Sequence, residues 1–478
     1  MIRLSFLILL YFASRPGDAV GLHGFHYHGL EEPEAVNRAT ENITEGWIQQ
    51  PLDHFNSHDN RTWWMRYLKN SHFYKEGGPI LIMIGGEWEI SNGFLEAGLM
   101  YELASKHNAT MYYTEHRYYG KSRPTPNISS SNLQYLSVDQ ALADLAYFIQ
   151  SRKNLEGFEN STVIVFGGSY AGGMASWARL KYPHLIQGAL ASSAPVFSKP
   201  DFFEYYEVVA ESLRKYSQKC VDEIKAAFDG IEKLIFTDKD GLQKLKTYFN
   251  LCDPIEFSPD DLGYLMNTLA ETFAGIVQYD KVTNGRTMIA ATCEKMTASN
   301  LGSPIERLAR LVSSNNCFPS SYKKFVKVYA NETWDAQSDI MRLWYYQTCT
   351  EFGNYQTSNS KNSIFGTLFP LRYYIDICTD FYGKYYNMDF LKGRVKRTNL
   401  MYGGLHPDLR RVIFTNGEID PWHPLSLLSS NLDQQVYGIL IKNSSHCRDL
   451  YTDTPTDGQE LLKARAQVRS IISSWISS

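Results

Sequence analysis

The sequence predicts an α/β protein in which a parallel sheet, interrupted after its fourth strand, carries a long helical insertion. Three observations predict it. Short apolar runs recur at 79–84, 110–114, 162–166 and 188–191, and again at 411–415 and 435–441. Runs apolar on both faces belong to strands covered by helices on both sides, which is how parallel sheets are built. Helical patterns alternate with them: 138–151, with Leu142, Leu145, Ala146 and Ile149 on one face, a helix running through Lys181, and 459–476. Residues 200–400 break that rhythm, with helical stretches at 202–216, 219–236, 259–278, 303–314 and 319–330 and almost no strand.

Length points to one large domain carrying an insertion, or to two domains. The 478 residues exceed the ~250–300 over which one core usually grows. Residues 49–199 and 401–478 are expected to form the sheet domain and 200–400 a helical cap over its carboxyl edge. A 21% charged fraction with 32 Tyr and 25 Phe excludes a mainly disordered chain. The balance of 47 basic and 51 acidic residues, net −4 without a sustained basic block, excludes nucleic acid as a partner.

The first residues address the chain to the secretory pathway. Arg3 followed by the apolar run Leu4–Ala13 and small residues reads as a signal peptide over 1–19, leaving 20–48 as an N-terminal segment or propeptide. The run is shorter than the ~20 apolar residues of a membrane helix, and no later run is longer, so no membrane span is expected. Seven glycosylation sequons, at Asn42, Asn60, Asn108, Asn127, Asn160, Asn331 and Asn443, agree with that route. Cys220, Cys252, Cys293, Cys317, Cys349 and Cys378 cluster in the insertion, and Cys447 stands apart as the odd thiol. Six cysteines allow 15 pairings, among which spacing does not choose. No Cys/His spacing suits a metal, and His23, His26 and His28 read as part of a tail. The basic run Arg394-Val395-Lys396-Arg397 reads as a solvated loop rather than a processing site.

Ser169 carries the strongest chemical signal. An apolar strand, the pair Gly167-Gly168, Ser169 and an immediate helix match the nucleophile elbow of α/β-hydrolases, with Ala171 where the second glycine of G-x-S-x-G stands. Taken alone, the segment could be a glycine turn with an incidental serine. A serine hydroxyl needs a histidine to take its proton and a carboxylate to orient that histidine, and in this fold they follow in the order Ser, Asp, His. Asp420 follows the strand at 411–415 and His446 the strand at 435–441, as the fold requires. His423 has no strand of its own and His406 precedes the Asp loop. The oxyanion hole is expected from the backbone N–H of Tyr170 and of Gly86 or Glu87, the latter also readable as a structural carboxylate.

Glu115-His116-Arg117-Tyr118-Tyr119-Gly120-Lys121-Ser122, the Gly-Gly-Ser-Tyr elbow, Ala191-Ser192-Ser193-Ala194-Pro195 and Asp420-Pro421-Trp422 resemble the lysosomal Pro-X carboxypeptidase and dipeptidyl peptidase II family of serine peptidases, from about Gln49 to the C-terminus. Tyr346–Gly353 and Ser445-His446-Cys447 resemble its thymus-specific serine protease branch. The resemblance implies an α/β-hydrolase fold with a helical, disulfide-braced cap. It also implies Ser169, Asp420 and His446 as nucleophile, acid and base, and disulfides Cys220–Cys378, Cys252–Cys349 and Cys293–Cys317. It implies cleavage after proline, with Trp422 lining the pocket and Met174 and Tyr345 as the further candidate substrate-binding residues. Two positions depart from the family: Gly173 stands at the Met position of Ser-Tyr-Gly-Gly-Met, with Met174 following, and Tyr345 stands where dipeptidyl peptidase II has an amine-holding aspartate.

The expected activity is that of a secreted or lysosomal serine exopeptidase acting on short peptides, with no cofactor and with a homodimer as the candidate assembly. An esterase or lipase of the same fold, or an inactive hydrolase-like binding glycoprotein, are the alternatives. An acid optimum would require His446 to stay neutral below the ordinary histidine pKa of ~6.5.

Overall fold

The computed structural model describes residues 30–33, 43–155, 157–283, 285–314, 316–335 and 339–477. The signal-peptide reading, His23, His26, His28, the Asn42 sequon and most of 20–48 lie outside the described residues. Among the described residues no helix is long and apolar enough to cross a membrane.

Eight strands among the described residues form one sheet. Six precede the helical region: β1 (Ile43–Pro51), β2 (Thr62–Asn70), β3 (Ile80–Ile84), β4 (Thr110–Thr114), β5 (Val163–Gly168) and β6 (Gly188–Ser192). Val412–Gly417 and Val436–Ile441 complete it, in the order β1-β2-β4-β3-β5-β6 and then these two. From β4 onward every pairing is parallel. The first two strands correct the all-parallel expectation: β1 and β2 form an antiparallel hairpin, and β2 pairs antiparallel with β4. They escape an apolar-run search because one face is wet. Trp63 and Met65 point inward while Trp64 is exposed, the alternation of a half-covered antiparallel edge.

Among the described residues the helical region holds ten α-helices, beginning with Glu204–Tyr216 and Gln218–Thr237 and ending with Leu371–Tyr382 and Met388–Tyr402. Several start where side chains cap the first turn. Ser217 accepts from Cys220 N–H, Ser258 from Asp261 N–H, and Ser303 with Glu306 forms a capping box. Helices Gly241–Phe249, Met288–Thr297, Asp339–Gln347, Leu371–Tyr382 and Met388–Tyr402 were not expected. The last carries Arg394, Lys396 and Arg397, so the basic run is helical rather than a loop, and Arg397 bonds Asp139 at 2.5 Å.

Two large hydrophobic cores result, with a small third cluster of Ile441, Leu461 and Ala464. One lies on both faces of the sheet, and the other fills the helical region, reaching Trp422 and Leu425. The second also takes in Tyr118, Tyr119, Ile128, Leu133 and Leu136 from the connection after β4, so the sheet segment contributes to the helical core.

The disulfide pairings implied by resemblance are all corrected: the bonds are Cys220–Cys293, Cys252–Cys317 and Cys349–Cys378. Packing decides them. Helices Gln218–Thr237 and Met288–Thr297 put Cα atoms of Cys220 and Cys293 5.1 Å apart. A backbone bond from Cys252 N–H to Phe318 O brings Cys252 to Cys317. Cys349 and Cys378 lie 5.8 Å apart across the turn after Gln347 and helix Leu371–Tyr382. Cys447 is free and buried, as the cysteine count implied.

Peptide mapping without reduction should recover these three linked pairs. Replacing both members of Cys252–Cys317 by Ser should lower stability by about 4 kcal/mol, the loop-entropy value for a bond spanning 65 residues, read as a fall in denaturation midpoint.

Candidate active site

The backbone is tight at the turn from β5 into helix Tyr170–Lys181. Ser169 sits there at φ 59°, ψ −130°, a conformation in which L-residues are strained. Its N–H bonds Ser192 O at 2.9 Å and its carbonyl accepts Gly173 N–H at 3.1 Å. Strand and helix approach so closely that a Cβ on Gly167 would lie 2.1 Å from Ala171 O, and one on Gly172 2.7 Å from Ser192 O. Gly172 therefore takes the close contact with the neighbouring strand, which is why alanine is tolerated at 171.

Asp420 and His446 arrive from two neighbouring parallel strands, Val412–Gly417 and Val436–Ile441, whose connections leave the same edge of the sheet as β5. His446 Nδ1–H donates to Asp420 Oδ2 at 2.8 Å, and both side chains are fully buried. Asp420 Oδ1 accepts Trp422 N–H at 3.1 Å. His446 Nε2 has no protein partner. Burial alone would depress the imidazole pKa, but the Asp420 carboxylate overrides it and holds His446 well above the ordinary histidine value. His423 instead donates Nδ1–H to the Asp420 carbonyl at 2.9 Å, and burial lowers its pKa.

The helical region grips the histidine loop. Gln278 O, at the end of helix Pro259–Gln278, accepts His446 N–H at 2.9 Å, and Asp280 O accepts the Ser445 hydroxyl at 2.7 Å. The side-chain Oε1 of Gln278 accepts both Tyr205 O–H, at 2.7 Å, and Trp422 Nε1–H, at 2.9 Å. One glutamine thus holds Trp422 and the histidine backbone together.

Tyr170 is fixed by a buried network. His116 Nδ1–H donates to Arg117 O at 2.6 Å, which leaves Nε2 to accept the Tyr170 hydroxyl at 3.0 Å. Gln347 Nε2–H donates to the same hydroxyl, and Tyr119 O–H donates to Gln347 Oε1. Burial lowers the His116 pKa to about 4, so this tautomer stays neutral. The neighbouring motif residues are scaffold. Glu115 binds Arg66 and Ser122, and Arg117 grips Asp144 with bonds of 2.6 and 2.8 Å.

A cavity opens over the turn. Among the expected residues, Ser169, Tyr170, Glu87, Trp422 and Tyr345 line it. Met174 does not: it is buried in the sheet core, against a smaller cavity beside Met65 and His116. Gly86 lies just before Glu87, its Cβ position blocked by the Trp88 ring. The N–H of Tyr170 opens a helix, where backbone donors have no acceptor within the helix. No sequence signal marked Gln278 or Gln356, single polar residues in a buried aromatic region. Among the described residues no cluster of His, Cys, Asp and Glu could hold a metal.

An elbow serine, a buried His–Asp pair on adjacent strand ends and a helical insertion define an α/β-hydrolase. The model of the serine carboxypeptidase S28 family matches residues 50–468, and the chain belongs to that family of serine peptidases. A Caenorhabditis elegans protein carrying a serine-protease name (K12H4.7) is 35% identical over 91% of this chain and 89% of its own. The thymus-specific serine protease of Mus musculus is 33% identical, covering 90% and 87%. The lysosomal Pro-X carboxypeptidase of Homo sapiens is 30% identical, covering 94% and 91%.

Replacing Gln278 by Leu strands two buried donors, each worth about 1–3 kcal/mol. The variant should lose about 2 kcal/mol or more in a denaturant titration.

Proposed function

We propose that the chain is a serine exopeptidase that cleaves short peptides after proline, with Ser169 as nucleophile. The observation that carries the reading is the strained elbow of Ser169 in the wall of an aromatic-lined cavity, together with the buried His446–Asp420 hydrogen bond at the same end of the sheet. In this reading Ser169 Oγ attacks the scissile carbonyl and its proton passes to His446 Nε2. Asp420 holds the Nδ1–H tautomer and stabilises the imidazolium. The oxyanion is received by the N–H of Tyr170 and of Gly86 or Glu87. His446 then returns its proton to the departing amine, and water, deprotonated by the same nitrogen, releases the acyl group and restores Ser169.

The preference for proline is supported by the Pro-X name of a relative and by the Trp422 wall, whose indole is fixed by Gln278. The helical region, acting as a cap, would restrict entry to chain ends. Three disulfides suit an oxidising compartment, in line with secretion or delivery to the lysosome. Asn60, Asn127, Asn160, Asn331 and Asn443 are exposed and open to glycosylation, and Asn108 is partly so. Asn443, three residues before His446, would place a glycan near the site.

A mixed peptide library digested by the glycosylated protein and read by mass spectrometry should show cuts after proline near one terminus. Ser169→Ala should lose this activity by about 1,000-fold or more. Absence of any cleavage at acid and neutral pH would direct attention to ester substrates and end the peptidase reading.

The pH profile has a predicted sign. Only neutral His446 accepts the serine proton, and Asp420 favours the charged imidazolium, so activity is present above the folded pKa and lost as pH falls through it. The acid limb of kcat/KM should therefore lie above pH ~6.5, the ordinary histidine value. An enzyme fully active at pH 5 would contradict it.

A further inference from the structure

We infer that the side chain of Glu87 anchors the free α-ammonium of the peptide, so that the cavity selects amino-terminal over carboxy-terminal chain ends. This rests on the peptidase reading above.

Glu87 is only 6% exposed, lines the cavity that contains Ser169, and its Oε2 has no hydrogen-bond partner. Among the other buried carboxylates, Glu115 faces Arg66, Asp144 faces Arg117 and Asp420 faces His446, while Asp449 and Glu351 accept hydroxyl or backbone N–H donors. Glu96 Oε1 also lacks a partner, but Glu96 does not line the cavity. A buried carboxylate oxygen without a donor carries a desolvation penalty that a bound donor removes. Glu87 has no fixed cation, and burial raises its pKa to about 7, opposed by its own backbone N–H and by His446.

The rest of the wall indicates which chain end supplies the donor. Among the described residues no Lys or Arg lines the cavity, and Glu87 is its sole carboxylate. A substrate carboxylate would enter without a countercharge and beside a group of its own sign, which raises its cost. An ammonium would meet Glu87, a second buried acceptor without a partner in Gln356 Oε1, and the aromatic lining that includes Trp422 and Phe352. The position at which the family resemblance would place an amine anchor is the neutral Tyr345. The charge comes instead from the loop after β3, on the sheet side of the cavity.

The test uses one proline-containing peptide in three forms: free at both ends, N-acetylated, and C-amidated. For the wild-type protein, acetylation should lower kcat/KM at least 10-fold and amidation less than 3-fold. Glu87→Gln should lower kcat/KM on the free peptide about 10-fold and bring the free-to-acetylated ratio toward one. Glu87→Asp should restore part of that ratio, which a merely structural role would not do. Equal cleavage of free and acetylated peptide by the wild type, a ratio that survives in Glu87→Gln, or a dependence on the carboxyl end would each overturn the inference. Calorimetric binding to Ser169→Ala separates the two readings. If the wild type cleaves none of the peptides, the peptidase reading fails, while tighter binding of the free-amine form that is lost with Glu87→Gln still supports the anchor. No such difference overturns it.

Discussion

The structure depends on how closely helix Tyr170–Lys181 approaches the sheet. Its first turn can follow β5 directly only if Ser169 adopts a left-handed φ and if Gly167 and Gly172 carry no side chain. That strain is held in place from both sides. Ser192, on the neighbouring strand, takes the Ser169 N–H, and below it a buried polar layer closes the space. Asp449 accepts the hydroxyls of Ser192 and Thr415, and Ser193 accepts Cys447 N–H. Strand ends, elbow and histidine loop are thereby tied into one rigid floor, which is where a strained conformer can persist.

The helical region does more than cover this floor. Through Gln278 it supplies the acceptor for the His446 backbone and fixes the Trp422 ring. Through Gln347 it reaches Tyr170, the residue after the elbow serine. Glu351, at the turn that follows, accepts Val138 N–H from the sheet body, and burial raises its pKa to about 8. Opening of the helical region would therefore disturb the histidine, the aromatic wall and the elbow together. The connection after β4, whose Tyr118 and Tyr119 sit in the helical core, adds to that coupling.

Legibility in the sequence followed the range of the physics involved. The six parallel strands announced themselves because burial on both faces leaves a continuous apolar run, and strand ends such as Gly417 and Ile441 lie within two residues of the expected positions. The β1–β2 hairpin did not, because its wet face dilutes the pattern. Helix Leu371–Tyr382 was hidden by a Tyr-rich stretch whose propensity is neutral and whose helicity comes from packing. In the site, Ser169, Asp420 and His446 were legible because each follows its own strand. Met174 was misplaced because one residue along a helix turns a side chain by about 100°, here into the sheet core.

By itself the sequence determined the layered α/β fold, the elbow, the strand-end positions of Asp420 and His446, and the membership of the peptidase family, since all of these are written in local period and short motifs. Tertiary structure alone decided the cysteine partners, because pairing depends on which helices lie side by side and not on spacing. It alone decided the grip of Gln278 on the histidine loop, a contact between residues 168 positions apart in sequence (446 − 278). It also decided that Glu87 stands without a cation in the cavity wall. A carboxylate beside a tryptophan in a glycine loop is unremarkable as text. Only the packing of two cores around it removes the water that would otherwise solvate its charge.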